Sequence, residues 1–329
     1  MKHQILALAV AALSFTACTN EDNISQDFLA DTPIKLNVSV DEPTTRAGYS
    51  NEDKPTGFVL EVEPNGKLKD KYSYKVWAEW EDNNWKTYDL TKYRNDGTKE
   101  EVTMLWANMN NKVAVSAISD VDYYAAAAKE ISNHPTDQTT LAALKKADFL
   151  TMPYTQVDPT QSGINVKFKH TMSKINLTIE LGDEYEFIAD VDKKITDVKI
   201  DGSKIKAYYT FMASTENTQF YFYAYGDPTP ITPYRTGTKP YSKTDGKASA
   251  TYEAILIPQD IASGEFTVSF KVDGKLYEWV YNNEAGLTLD PSTAYTLKLI
   301  AGDDKVQPVS FSVAEWGKGN GDGEEKETD

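Results

Sequence analysis

The stretch Val166-Lys167-Phe168-Lys169-His170-Thr171-Met172-Ser173-Lys174-Ile175-Asn176-Leu177-Thr178-Ile179 alternates apolar and polar residues, first on one parity and then on the other. Val166, Phe168, His170 and Met172 share one face of an extended chain, and Ser173, Ile175, Leu177 and Ile179 share the opposite one. A period of two means β-strand. A change of parity within it predicts a bulge or bend near residues 171–174, because one extra residue turns over every side chain that follows. His170 shares its face with apolar neighbours, so it is read as a hydrogen-bonded core histidine at the bend and not as a ligand.

Outward from this stretch the chain reads as almost entirely β, with short runs rich in Val, Ile, Thr, Tyr and Trp between turn residues. Asn110-Asn111, Asp201-Gly202 and Asp273-Gly274 each sit between two such runs and predict hairpins, since Asn, Asp and Gly tolerate the positive φ that two-residue turns require. A longer hairpin is expected from 72–80 through 81–84 to 85–90. The exception is 121–150, where Tyr123 to Ala128 and Leu141 to Lys146 have helical composition interrupted at His134-Pro135. Residues 226–247, rich in Pro, Thr, Gly and Tyr, read as a long loop. Regular short strands favour sandwiches. The expectation is an all-β chain of two β-sandwich domains, 47–182 with a short helical insertion and 183–316, followed by an acidic, Gly-rich tail at 317–329 that is read as disordered.

Composition removes several function classes. With 34 basic and 50 acidic residues the formal charge is −16, the wrong sign for a nucleic-acid footprint. No Gly-x-Ser-x-Gly elbow, His-Glu-x-x-His, Cys-x-x-Cys or glycine-rich phosphate loop is present, so no catalytic residues and no cofactor are expected. The carboxylates Asp183, Glu184, Glu186, Asp190 and Asp192 lack the spacing of a calcium loop and read as a solvated linker face. No metal is assigned.

The front end is more specific. Residues 1–17 carry Lys2 and His3, an apolar run from Ile5 to Phe15, and small residues leading to Cys18, the sole cysteine of 329 residues. The run is too short to span a bilayer as a helix and reads as an export signal. Cys18 is read as an acyl acceptor that anchors the mature chain to the outer membrane, although Phe15 stands where such signals usually carry Leu. Behind it, Ile34, Leu36, Val38 and Val40 alternate along a strand pattern, and Thr44-Thr45-Arg46-Ala47 then offers a basic bond to a trypsin-like protease. A cut after Arg46 leaves 31 basic and 44 acidic residues, a charge of −13. Residues 18–46 are thus expected to form a lipidated propeptide containing the first strand.

The pattern Phe168-x-His170-x-Met172-Ser173-Lys174-Ile175 resembles the first-domain signature of the fimbrillin family, the subunits of type V pili. Other pieces follow in matching order: Ala147-Asp148-Phe149-Leu150, Leu256-Ile257-Pro258-Gln259, 274–277, 289–299 and Val313-Ala314-Glu315-Trp316-Gly317. The resemblance implies transthyretin-like sandwiches, travel as a lipoprotein, a protease cut after an arginine, and loss of the first strand. It also implies that another subunit's C-terminal strand refills the groove. On this chain the cut maps to Arg46 and Ala47, the lost strand to Ile34, Leu36, Val38 and Val40, and the donor strand to Val309, Phe311, Val313 and Trp316. The same C-terminal strand can equally close its own sandwich. Implied partners are other fimbrial subunits, a maturation protease and a surface ligand on a host or bacterium, with the fimbrium at the cell surface as location.

The rival expectation is a monomeric surface lipoprotein that binds carbohydrate. Trp77, Trp80, Trp85 and Tyr88 on one predicted hairpin, or Tyr234 and Tyr241 in the long loop, would supply stacking faces. Aromatics at strand spacing are more often cross-strand pairs. Trp77 and Trp80 also differ in parity, so an unbroken strand sends them to opposite faces.

Overall fold

The computed structural model describes residues 30–41, 49–64, 66–108, 110–119, 130–185, 191–213, 218–243, 247–302 and 306–316. Strands dominate it. The first half contributes β1 (Leu36–Val40), β2 (Gly57–Pro64), β3 (Tyr74–Glu81), β4 (Asn84–Asp89), β5 (Val113–Ile118), β6 (Glu130–Ile131), β7 (Leu150–Val157) and β8 (Ile164–His170). The second half contributes β9 (Ser173–Leu181), β10 (Ile195–Asp201), β11 (Lys204–Ala213), β12 (Thr218–Pro228), β13 (Tyr234–Lys239), β14 (Ser249–Leu256), β15 (Gln259–Ile261), β16 (Thr267–Val272), β17 (Lys275–Val280), β18 (Leu287–Leu289), β19 (Thr293–Ala301) and β20 (Val306–Glu315).

Two β-sandwiches follow one another. In the first, the sheet order is β1-β8-β7-β5-β2-β3-β4. Strands β7 and β8 are paired only at Leu150–His170 and Thr151–Lys169, and there the sheet folds over on itself. The core between its layers holds Val38 and Val40 of β1, Phe58 and Leu60 of β2, Val115 of β5, and Ile164, Val166 and Phe168 of β8. In the second, the five-stranded sheet β13-β14-β9-β19-β20 lies across a separate core from the three-stranded sheet β10-β16-β17.

The parity change read from the sequence is the passage between the two sandwiches. His170 ends β8 in the first sheet, and Ser173 begins β9 in the second, where it runs antiparallel to β14 and parallel to β19. The two strands are divided by residues 171–172, both fully buried. The change of sheet therefore falls about a dozen residues before the 182/183 division expected from composition, and β9 packs with the second half.

Turn chemistry located two hairpins and misread two. Asp82 and Asn83, both at positive φ, join β3 to β4 as a two-residue turn, tighter than the four-residue connection expected. Asp273 and Gly274 do the same between β16 and β17. Asp201-Gly202 does not make a hairpin, because β10 pairs with β16 and β11 pairs with β12. Gly202 is needed for another reason: at φ 95°, a Cβ there would stand 2.3 Å from the carbonyl oxygen of Glu265. Among the described residues, the run before Asn110-Asn111 makes only an isolated bridge at Leu105 instead of a strand. The expected long loop at 226–247 contains β13, an edge strand of mixed polar composition.

The helical insertion is partly as expected. Leu141–Ala147 is a helix capped by the Thr140 hydroxyl, which accepts from the Ala143 amide. The expected helix at 123–128 lies outside the described residues. Between the two, His134-Pro135 is no solvent loop. His134 is buried, its Nε2 donates to the Ile255 carbonyl at 2.8 Å, and Gln138 brackets the same residue by accepting from its amide and donating to its carbonyl. This latch ties the insertion to β14 of the second sandwich.

Burial pushes the His134 imidazole down to about 4. A group whose folded value is depressed contributes stability above its unfolded value, near 6.5, and loses it as pH falls through the folded one. Denaturant titrations of the full chain should therefore lose roughly 3 kcal/mol between pH 7 and pH 4 from this residue. The His134→Gln chain, which keeps a donor for Ile255, should lose correspondingly less over the same range. Equal losses in the two chains would remove His134 as the source.

Candidate strand-exchange site

Strand β1 lies at the edge of the first sheet and pairs in parallel with β8, from Leu36–Ile164 to Val40–Phe168. Its alternation places Val38 and Val40 in the core, with Ile34 and Leu36 partly buried against it. The four side chains expected to share a face do so. The segment leading into the strand is pinned from the other side, where Asp31 and Ile34 donate to the carbonyls of Trp106 and Met104, and Trp106 donates back to Thr32. Both ends of β1 are tied to β8: the Ile164 amide donates to the Lys35 carbonyl and the Asp41 amide to the Phe168 carbonyl. Gly163, at φ 89°, permits the closest of these approaches, since a Cβ there would lie 2.1 Å from the Lys35 carbonyl oxygen.

Arg46, Ala47 and Cys18 lie outside the described residues. The chain on either side of 42–48 is anchored. Val40 donates its amide to the side-chain oxygen of Asn51, and the Tyr49 amide donates to Asp148 Oδ2 at 3.2 Å.

Asp148 is the centre of a buried polar group at the junction of the two sandwiches. Its other oxygen, Oδ1, is 2.9 Å from His170 Nδ1, and both side chains are almost fully buried. Beside them Lys174 Nζ lies 2.9 Å from Glu253 Oε2, at ion-pair distance but out of hydrogen-bond alignment. Burial raises the Glu253 carboxyl, while Lys174 opposes that rise and the Asp148 charge adds to it. The His170 ring stacks on Trp316, with centroids 4.2 Å apart and planes inclined by 15°. Sequence reasoning placed His170 in the core correctly. It did not identify Asp148 as the partner, although a buried imidazole demands one.

Strand β20 closes the edge of its own five-stranded sheet, antiparallel to β19. Phe311 is buried against Tyr281 and Tyr295, and Val313 packs against the same core. Val309 does not share that face. The register shifts so that Lys298 faces Ser310 while Leu299 faces Pro308, which leaves Val309 as the extra residue of a bulge, about half exposed. Trp316 is buried at the junction, and its amide donates to the Ser292 carbonyl. Ser292, at φ 57°, in turn donates its amide to Met172 and its hydroxyl to the His170 carbonyl.

The other sites read from sequence are dispersed. Trp77 faces Tyr88 across the β3–β4 hairpin and stacks on Tyr93, on the side opposite to Trp80 and Trp85, which face each other with ring centroids 5.4 Å apart. The four aromatics thus form two clusters on two faces and no single platform. Tyr234 is partly buried beside the junction core and Tyr241 beside the second core. Among the described residues no group of three or more His, Cys, Asp or Glu side chains is placed to hold a metal. Asp183 pairs with Lys247, and Glu186 and Asp190 lie outside the described residues.

A family model described as fimbrillin-like matches residues 45–316. None of the curated proteins is a significant match. Among solved structures, a putative cell adhesion protein of Bacteroides ovatus superimposes with a TM-score of 0.53 at 15% identity, covering 87% of this chain and 98% of that one. A putative cell adhesion protein of Bacteroides uniformis gives 0.46 at 17% identity, with 87% and 98% covered. The C-terminally truncated tip fimbrial protein Mfa3 of Porphyromonas gingivalis gives 0.41 at 11%, with 80% and 95% covered. The family match runs from just behind β1 to the tryptophan that ends the second sandwich, and the chain belongs to the fimbrillin-like family.

Proposed function

We propose that the chain is a structural or tip subunit of a type V fimbria at the cell surface, acylated on Cys18, trimmed after Arg46 and polymerised by donor-strand exchange. The role is assembly and adhesion, without catalysis. The observation that carries this reading is the placement of β1: it fills a core, yet it pairs with a single neighbouring strand and sits at a sheet edge. Loss of residues 30–41 would uncover the edge of β8 and the core side chains Ile164, Val166 and Phe168, a trough with unpaired backbone that favours strand addition. The incoming strand in this reading is β20 of another subunit, presenting Phe311 and Val313. A maturation protease, other subunits and the outer membrane are the partners it requires.

Brief trypsin treatment of the purified full chain tests it. The expected products are a cut at Arg46–Ala47 by intact mass and a shift to oligomers on size exclusion. A chain truncated before Val306 should be cut in the same way and stay monomeric. A cut chain that remains a stable monomer, or oligomers that survive the truncation, would sink strand exchange.

Gly163 gives a second test. The Gly163→Ala methyl meets the Lys35 carbonyl only while β1 is in place, an overlap that costs about 1–3 kcal/mol. In the cut chain, release of the peptide carrying β1 should accelerate by about tenfold or more relative to the cut parent. An unchanged release rate would show that this contact does not hold the strand.

A further inference from the structure

The three-stranded sheet β12-β11-β6 has one buried and one open face. Ala207, Tyr209, Phe222 and Ala224 pack into the junction core. On the other face the register sets Tyr208 opposite Tyr223, Thr210 opposite Tyr221 and Lys206 opposite Tyr225. A water-facing strand surface ordinarily carries charged and small polar residues. Here it carries four tyrosines, of which Tyr223 is 71% exposed and Tyr208 and Tyr221 nearly half exposed. Two of the rings are preset: Tyr225 stacks on Tyr208 at 5.0 Å, and its hydroxyl donates to Glu130.

Tyr221 and Tyr223 also form one wall of a groove of about 350 Å³, whose other walls include Lys204, Asp260, Thr288 and Pro291. The floor is fixed. The Gln259 side chain accepts from the Lys204 amide at 2.9 Å and donates to Ser203 Oγ and to the Ile257 carbonyl, while the Thr288 hydroxyl donates to Asp260 at 2.7 Å. A rigid concave site with aromatic walls and a few convergent polar groups suits a small ligand or one end of a longer one.

The chemistry of the patch selects the ligand. Lys204 and Lys206 stand among Asp227, Asp260 and Glu130, so the surface is of mixed charge and presents no cationic patch, while the chain as a whole, at −16, repels anions. A purely apolar ligand would leave the tyrosine hydroxyls and the Asp260 carboxylate without use. A neutral polyhydroxylated chain matches both halves, its C–H faces stacking on the rings and its hydroxyls meeting phenol, carboxylate and threonine. We propose that the tyrosine face of β11 and β12 and the groove beside it form a binding site for a neutral glycan. The site goes beyond the polymer reading and stands independently of it.

Native affinity electrophoresis of the full chain, in gels cast with β-glucan, galactomannan or starch and with alginate as the anionic control, tests the site. The expected result is retardation in at least one neutral gel and none in alginate. Tyr223→Ala should weaken that retardation by about tenfold, and Tyr154→Ala, an exposed ring on the first sandwich, should leave it unchanged. Tyr223 is so exposed that its truncation should not alter the melting curve, which separates loss of binding from loss of fold. No retardation in any neutral gel, or retardation that Tyr223→Ala does not reduce, would overturn the proposal. So would a sedimentation experiment in which Tyr223→Ala abolished self-association without affecting glycan retention, since that would assign the face to a second copy.

Discussion

The parallel pairing of Leu36–Val40 with Ile164–Phe168 is what keeps the first core dry. Val38 and Val40 are almost fully buried, and their burial alone contributes about 3–6 kcal/mol gross. A strand that stabilises so much is ordinarily sewn in on both sides. This one has a strand neighbour on one side only, and the segment before it is held by three backbone hydrogen bonds that join Asp31, Thr32 and Ile34 to Met104 and Trp106. The first sandwich is thus complete only while an edge element stays in place, and the backbone has been fitted to that element, with Gly163 stripped of a Cβ so that Lys35 can approach.

Segments from both sandwiches converge on one carboxylate. Asp148 accepts from the amide of Tyr49, a few residues beyond β1, and binds the imidazole of His170, which stacks on the tryptophan that follows β20. Burying charge at a domain junction is costly unless each group is paired. Here Asp148 has His170 and a backbone donor, and Lys174 has Glu253 beside it. The geometry of such pairs is demanding, and that demand fixes how the end of β8 meets the start of β9. The stretch that sets the junction is therefore also the stretch with the most legible sequence.

That legibility had a physical limit. The parity break at residues 171–172 was visible because period two is a local property, but on sequence alone it reads as a bend within one strand of the first half, and it is a passage between sheets. Pairing partners are not local. Asp201-Gly202 carries good hairpin chemistry, yet its strands diverge to different sheets, and the glycine answers to the Glu265 backbone instead of a turn. The 226–247 stretch hid β13 because an edge strand needs no apolar face to be held by β14. Of the candidate site, the inward residues of β1 were readable from their alternation. Val309 was not, because a bulge created by the register with β19 turns it outward. Among the aromatic residues, the parity that separates Trp77 from Trp80 was legible, and the β3–β4 hairpin divides them between two faces accordingly. The open tyrosine face of β11 and β12 drew no reading from the sequence, because it follows from which strands pair and not from local pattern.

The bulge at Val309 bears on the direction of exchange. Within its own sheet β20 buries Phe311 and tucks in Val313, and Val309 is the residue that the irregular register leaves half exposed. An unbulged strand would bring all three to one face. The groove beneath β1 runs along Ile164, Val166 and Phe168 with regular register and no bulge. In the proposed exchange, a β20 seated there would bury an aromatic ring and two valines where β1 fully buries two valines. Relative to its own sheet the incoming strand would gain the burial of Val309, and relative to the strand it replaces it would set Val309, Phe311 and Val313 where Ile34, Leu36, Val38 and Val40 had packed. The same move detaches Trp316 from the His170 stack, so the junction opposes what the groove favours. Whether a subunit donates its strand or keeps it depends on the balance between Val309 buried in the groove and what β20 leaves behind: the ladder with β19, the Tyr281 and Tyr295 rings around Phe311, and the Trp316 stack.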